Sequence, residues 1–261
     1  MPRIALGIEY LGFAYCGWQK QQDCHGVQEH LESALAKIAC EPIEVFCAGR
    51  TDRGVHAIGQ VVHFDTSVIR PVDAWVRGTN SHLPNDVRVT WQETVGEAFH
   101  ARFSAVARCY RYVIVNRAVR SALFYAQQTS VTRPLDIELM HLAAQTLLGE
   151  HDFSSFRAAE CQAHHPNRNV TEVTVHREGD FVFVDIEANA FLHHMVRNIV
   201  GSLLKIGQGE RPVAWIAELL ALRDRTKAAP TASANGLYLT HVRYPEPYLF
   251  KQVNMGDLWK T

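Results

Sequence analysis

Apolar and polar positions alternate with a period of two over residues 3–10, where Ile4, Leu6, Ile8 and Tyr10 share one face, and this predicts a half-buried strand. Val27, Leu31, Leu35 and Ile38 then recur at helical spacing. Strand patterns return over residues 43–48 and 60–65; residues 71–81 read as a helix with Pro71 near its first turn, and residues 87–93 as a strand. The opening part of the chain thus reads β-α-β-β-α-β, an order that favours an antiparallel sheet backed by helices. A comparable order follows. It comprises a strand over 108–116, a helix over 136–148 with Asp136 to cap it and Gly149 to end it, and a hairpin of 170–176 with 181–188. A helix over 193–206, a shorter one after Arg211-Pro212 and a strand over 236–244 complete it. These patterns predict an α+β chain of two halves, 1–105 and 106–245, with a mainly antiparallel mixed sheet flanked by helices, a central cleft, and a tail over 246–261.

Composition adds limits. With 261 residues, 47% hydrophobic and 20% charged, the chain has an ordinary globular makeup. No apolar run of about 18 residues is present to span a bilayer, and Met1-Pro2-Arg3 leads directly into a strand pattern, so a cytoplasmic protein without a membrane segment or signal peptide is expected. Cys16, Cys24, Cys40, Cys47, Cys109 and Cys161 show no CxxC spacing and read as reduced thiols, outside any disulfide framework or zinc ribbon. The 14 histidines raise a metal hypothesis, but HExxH is absent and the adjacent His193 and His194 are expected to project in different directions. No metal site is predicted.

The net charge of −1 argues against a protein that coats nucleic acid through bulk electrostatics. Residues 100–120, "HARFSAVARCYRYVIVNRAVR", nevertheless hold five arginines and no acid, with Phe103, Tyr110 and Tyr112 interleaved. Such a stretch suits phosphates and stacked bases, and equally a strand with a solvated arginine face.

Between two strand patterns, "CAGRTDRGVHA" places Asp52 between Arg50 and Arg53, with Gly49 and Gly54 free to adopt conformations that other residues avoid. Asp52 either closes an Asx-turn beside a surface ion pair, or is an ionised carboxylate held out to act as nucleophile or base. In "FLHHMVRNIVGSLLKIG", Arg197 stands near the start of a largely apolar helix, where a guanidinium usually has a carboxylate partner. Asp52 is the favoured partner, and Asp185 or Glu187 in the preceding strand the structural alternative.

"YLGFAYCGWQKQ", "GRTDRGVHA", "FHARFSAVARCYRYVI", "ANAFLHHMVRNIVGSL" and "GLYLTHVRY", in this order, resemble the tRNA pseudouridine synthase A family. The resemblance implies the pseudouridine synthase fold and isomerisation of uridine to pseudouridine at positions 38, 39 and 40 of the tRNA anticodon stem-loop, without cofactor or required metal. It also implies a homodimer whose tRNA contacts both subunits. Matched motif by motif, Asp52 falls on the catalytic aspartate, Arg50 on the arginine that helps flip the target nucleotide, Tyr110 on the tyrosine that packs on the uracil, and Arg197 on the arginine paired with the aspartate. Leu237 matches an apolar residue lining the uracil pocket. Phe99, His100, Ala101, Arg102 and Phe103 form an RNA-contacting stretch, and Cys161, Gln162, Ala163 and His164 a second such loop.

These residue types suit that chemistry. The bond from C1′ to N1 must break, the uracil must turn, and a bond to C5 must form; ionised Asp52 either adds to C1′ or removes the C2′ proton. A flipped base leaves a gap in the stack that Arg50 can fill, Tyr110 can hold the detached ring and carry the C5 proton, and apolar Leu237 helps to exclude water. Two positions depart from the family pattern: Leu11, where an Asp is common, and Arg53, where Ala is usual; Arg53 is either a solvent-facing variant that reaches a phosphate or a nearby acid, or a residue that adds phosphate affinity. Two rival readings are an RNA-binding or RNA-chaperone protein without turnover, and a nucleoside hydrolase or glycosidase; the latter lacks a paired acid near Asp52.

Overall fold

The structure, a computed structural model, describes residues 2–251. It consists of two compact units, one running to Arg108 and resuming at Tyr238, the other spanning Cys109–Leu237.

The first unit contributes β1 (Arg3–Tyr10), α1 (Val27–Ala39), β2 (Phe46–Cys47), β3 (His56–Asp65), α2 (Thr79–His82) and β4 (Val87–Val95), in the predicted order. Strand β1 pairs antiparallel with both β3 and β4, and β2 pairs antiparallel with β3. Being central, β1 is buried on both faces rather than half-buried: Ala5, Leu6 and Ile8 are all fully enclosed. The small residues make this possible, since the Trp91 indole occupies the space a side chain at Gly7 would need. Strand β2 is shorter than predicted because Val45 donates its N–H to the Glu32 carboxylate (3.1 Å) and not to a neighbouring strand. The helix predicted over 71–81 is a five-residue π-helical turn, Ala74–Gly78, followed by the single turn of α2.

The expectation of six reduced cysteines is corrected for one pair. Cys16 and Cys24 form a disulfide, whereas Cys40, Cys47, Cys109 and Cys161 are not disulfide-bonded among the described residues. The cause is tertiary: the 16–25 excursion folds back on itself, with the Cys16 N–H on the His25 carbonyl (3.0 Å), and brings the two Cα atoms to 6.1 Å.

The second unit holds β5 (Ala107–Asn116) from Cys109 onward, β6 (Thr129–Val131), α3 (Ile137–Gln145), β7 (Gly149–Asp152), β8 (Asn167–Glu178), β9 (Phe181–Ala188), α4 (Met195–Gly207) and α5 (Trp215–Leu222). Its strand order is β5-β9-β8-β7, with β6 parallel on β5 and the pairs β7/β8 and β8/β9 antiparallel. Asp136 caps α3 as predicted, accepting the Leu139 N–H at 3.0 Å. Gly149, in the left-handed region at φ +92°, opens β7 instead of ending that helix. Helix α4 starts at Met195 and not at His193, because His194 adopts φ +61°, which no right-handed helix can contain. Its sides are nearly all buried, and its interior polar groups are satisfied: Asn198 donates to the Phe156 carbonyl (2.8 Å) and accepts from Arg225 (3.0 Å) and Thr231 (2.7 Å).

The last strand, β10 (Leu237–Arg243), was expected with the second half; from Tyr238 onward it belongs to the first unit, where Tyr238 and Leu239 pair in parallel with His56 and Ala57. The start of the predicted tail is packed: Phe250 stacks on Trp91 (4.8 Å between ring centroids), and Tyr248 meets Phe99 at 4.8 Å. Residues 252–261 of that tail lie outside the described residues. Both units are thus mixed, mainly antiparallel sheets flanked by helices, as predicted. Among the described residues, no helix is long and apolar enough to cross a membrane.

Candidate functional site

The Asp52 loop joins β2 to β3 and is held along most of its length. Ala48 donates to the Val61 carbonyl (2.8 Å), continuing the β2 pairing by one residue. Gly49 is gripped by the amide of Gln60, a fully buried side chain that donates to its carbonyl at 2.6 Å and accepts its N–H at 3.3 Å. Thr51 is buried, its hydroxyl 2.8 Å from the Tyr10 phenol and its carbonyl accepting the Trp18 N–H at 3.0 Å. Residues 52–55 form a turn closed from the Val55 N–H to the main-chain carbonyl of Asp52 (3.1 Å), with Gly54 at φ +80°. The turn is therefore closed through the backbone.

The segment carrying "YLGFAYCGWQKQ" lies directly beneath this loop. A side chain at Gly17 would come within 2.6 Å of the Thr51 carbonyl, and one at Gly12 would strike the Val55 carbonyl. Gly12 also donates to Nδ1 of buried His56 (2.9 Å), whose ring stacks on Tyr238 at 4.7 Å. Arg50 and Arg53 face solvent, and Arg53 donates to the Cys16 sulfur at 3.1 Å.

Beside the loop, burial pushes the Cys47 thiol up to about 12, against the pull of the nearby Arg50, Arg102 and Arg108 guanidinium groups, which favour the thiolate. Arg108 itself is structural. It donates to the carbonyls of Ala48 (3.1 Å), Arg102 (2.6 Å) and Ala105 (3.1 Å), tying the Asp52 loop to the 99–105 stretch. Within that stretch the five predicted RNA contacts separate. Phe99 and Ala101 are fully buried, Phe99 packing on Tyr244, Tyr248 and Phe250, so these two serve the core. His100, Arg102 and Phe103 reach the surface.

In the second unit Tyr110, on β5, is buried and meets Phe191 edge-on at 5.0 Å. Arg197 sits in the first turn of α4, its Nε donating to the Ala232 carbonyl (2.9 Å) while its own carbonyl accepts the Ala232 N–H (3.1 Å). Asp185, the strand alternative for its partner, forms a two-point pair with Arg111 instead, at 2.6 and 2.8 Å. Arg111 also lies over the Phe183 ring at 4.9 Å, and Tyr112 is fully buried with its hydroxyl on the Ser233 carbonyl (2.8 Å). Much of the arginine and aromatic stretch is thus internal structure rather than open surface. Leu237 is buried after a turn in which Gly236 abuts the Tyr112 ring.

The second predicted loop is held by Arg157, which donates to the carbonyls of Cys161 (2.6 Å) and Ala163 (2.8 Å). Gln162 and His164 are exposed. Burial opposes ionisation of the Cys161 thiol, but the N–H groups of Ala163 and His193 and the Arg157 guanidinium outweigh it and hold the thiol below its ordinary range. The structure thus brings this loop against His193, four residues before Arg197. The expectation that His193 and His194 diverge is corrected: their rings lie 4.0 Å apart, because the left-handed His194 turns the chain back on itself.

Gln60, Tyr10, Thr51 and Arg108 hold the loop in place and were not singled out by the sequence for that role. The available signal was a polar residue inside an apolar strand, as in "IGQVVHF".

Comparison with known proteins places these features in context. The family described as tRNA pseudouridine synthase matches over residues 7–104 and 143–245. A protein of Hydrogenovibrio crunogenus named tRNA pseudouridine synthase A is 60% identical over 262 residues, covering 100% of both chains. Proteins of the same name from Glaesserella parasuis and Shewanella denitrificans are 59% and 57% identical, each covering 98% of both chains.

Proposed function

The chain belongs to the tRNA pseudouridine synthase family, whose reaction is the isomerisation of uridine to pseudouridine in tRNA, and we propose that it performs this reaction at positions 38, 39 and 40 of the anticodon stem-loop with Asp52 as the reacting carboxylate. The observation that carries the reading is the build of the Asp52 turn. Buried groups grip Gly49 and Thr51 on its approach, a main-chain bond closes it at Val55, and the glycines beneath allow no slack. A carboxylate presented on so rigid a turn starts with its positional entropy already lost, which is where much of an enzyme's advantage lies.

In this reading the target uridine leaves its stack and Arg50 fills the gap, offsetting part of an unstacking cost of a few kcal/mol. The Asp52 carboxylate then adds to C1′ with uracil leaving through N1, or takes the C2′ proton and expels the same group. Tyr110 holds the detached ring by its face while it turns; C5 then bonds to C1′ as the Asp52–C1′ bond breaks or, on the second route, as the proton held by Asp52 returns to C2′, and the C5 proton passes to a base, for which the Tyr110 oxygen is suited. Arg197 is the cation paired with Asp52 and aims its carboxylate, and Leu237 keeps water from the ring. His100, Arg102, Phe103 and the Cys161 to His164 loop hold the RNA. The enzyme acts as a homodimer in the cytoplasm, each tRNA touching both subunits.

Tritium release from C5-labelled uridine in tRNA tests the reading. Wild-type protein should release the label and Asp52→Ala should not, with tRNA affinity within a few-fold of wild type. Release by Asp52→Ala would overturn the role of Asp52, and a wild-type protein that binds tRNA without release would leave a binding protein in place of an enzyme.

A further inference from the structure

One surface of the first unit has a build that the reacting groups do not explain. Phe46, on β2, is 42% exposed, and Phe103 is 76% exposed. The two are joined through imidazoles. Phe46 stacks on His63 at 5.2 Å and lies 5.7 Å from His100; His63 meets His100 at 4.6 Å, and His100 meets Phe103 at 4.4 Å.

Both imidazoles are locked, and locked neutral. Nδ1 of His63 accepts the Ala101 N–H at 3.1 Å, and Nδ1 of His100 accepts the N–H groups of Arg102 (3.1 Å) and Phe103 (3.3 Å). A ring nitrogen that accepts a hydrogen bond carries no proton, so each ring is protonated at Nε2 alone. Burial and neighbouring positive charge act in the same direction, pushing His63 down to about 4 and lowering His100 as well. Around these uncharged rings stand cations. The Arg102 guanidinium lies 5.6 Å from the Phe103 centroid, and Arg50 and Arg108 approach the Cys47 end of β2.

We propose that Phe46, His100 and Phe103 form a stacking ledge that takes an unpaired nucleobase of the RNA, with Arg102 on its flanking phosphate. Two large rings held open to solvent by a rigid neutral support present π-faces at little ordering cost on binding. The guanidinium beside them selects for a flat ligand that carries negative charge one sugar away from its ring, which is the repeat of single-stranded RNA. An apolar protein surface would match the rings but not the excess of cations. Phe46 lies outside the segment that resembles an RNA contact, and its place on the ledge is visible only in three dimensions. The proposal rests on RNA being the substrate, and extends that reading by assigning a second base contact away from the reacting uridine.

The test uses the full chain and unmodified tRNA, with equilibrium binding as its readout and tritium release measured in parallel. Phe103→Ala and Phe46→Ala should each weaken tRNA binding roughly tenfold, the scale of one lost stacking contact. Most of the loss should appear in affinity rather than in the rate at saturating tRNA. Phe103→Trp should restore binding and Phe103→Leu should not, because the aliphatic side chain replaces area without a π-face. The slope of log affinity against log salt should be unchanged in Phe103→Ala and reduced by about one in Arg102→Ala. Wild-type affinity in both alanine variants would overturn the ledge, and so would full recovery with Phe103→Leu. Phe103 is so exposed that its replacement should leave the urea midpoint unchanged. Absence of tritium release from a wild-type protein that shows this binding pattern would refute the catalytic reading and leave the ledge standing.

Discussion

Replacing Gln60 with Leu keeps the volume of a fully buried side chain and removes its grip on the approach to Asp52. Gly49 then loses an acceptor 3.3 Å from its N–H and a donor 2.6 Å from its carbonyl. A buried polar group left without a partner costs about 1–3 kcal/mol, and Gly49 contributes two such groups. Gly49 is only partly buried, so water recovers some of this and a net loss of about 2 kcal/mol is expected. The loop relaxes toward solvent and carries Arg50 and Asp52 with it, and a shift on the order of 1 Å is enough to slow a positioned reaction by about a hundredfold. Urea unfolding should therefore show a lower midpoint at unchanged slope, and single-turnover tritium release at saturating tRNA should fall by tens of fold. Gln60→Glu sharpens the test. Its carboxylate faces the Gly49 carbonyl without a donor, but a protonated Glu supplies one, so its activity relative to wild type should rise as the pH is lowered. A Leu variant with wild-type stability and wild-type single-turnover rate would refute the positioning role of Gln60.

Gly17→Ala places a methyl in the left-handed region at φ +103° and against the Thr51 carbonyl, so it should cost about 2 kcal/mol and slow tritium release; Gly209→Ala, at φ +73° with open space around it, should cost about 1 kcal/mol and leave the rate unchanged. His63 should make stability depend on pH in a defined window. Its folded value lies near 4, below the ordinary 6.5, so the unfolded chain binds more protons between them. Its contribution is complete above about 6.5 and is lost as the pH falls through about 4, and His63→Gln, which can still accept the Ala101 N–H, should flatten that slope in urea titrations. Arg53→Ala should reduce the salt dependence of tRNA binding while leaving single-turnover release nearly unchanged, since Arg53 is exposed beside the Cys16 sulfur; an unchanged salt slope would refute its phosphate contact.

Sequence alone determined the order of the main elements and the identity of the chemically capable residues. Periodicity is a local property, so β1, α1, the β8/β9 hairpin and the Asp136 cap could be read directly, and "GRTDRGVHA" named its carboxylate without a structure. What it could not supply was set by contacts between residues far apart in the chain. That β1 is buried on both faces follows from Trp91 lying over Gly7, and the shortness of β2 from Glu32 taking the Val45 N–H. The Cys16–Cys24 disulfide follows from a fold-back that no spacing rule contains, and the meeting of His193 with His194 from one left-handed residue. The same holds for function. A motif states which side chain can react, but the rigidity of the Asp52 turn depends on Gln60, Tyr10 and the glycines at 12 and 17. The ledge joins Phe46 to Phe103 across 57 positions of sequence because β2 lies along β3 and His63 of β3 accepts the backbone of Ala101. Composition and periodicity record what each segment prefers; which backbone groups are left for a neighbour to satisfy is decided only when the segments meet.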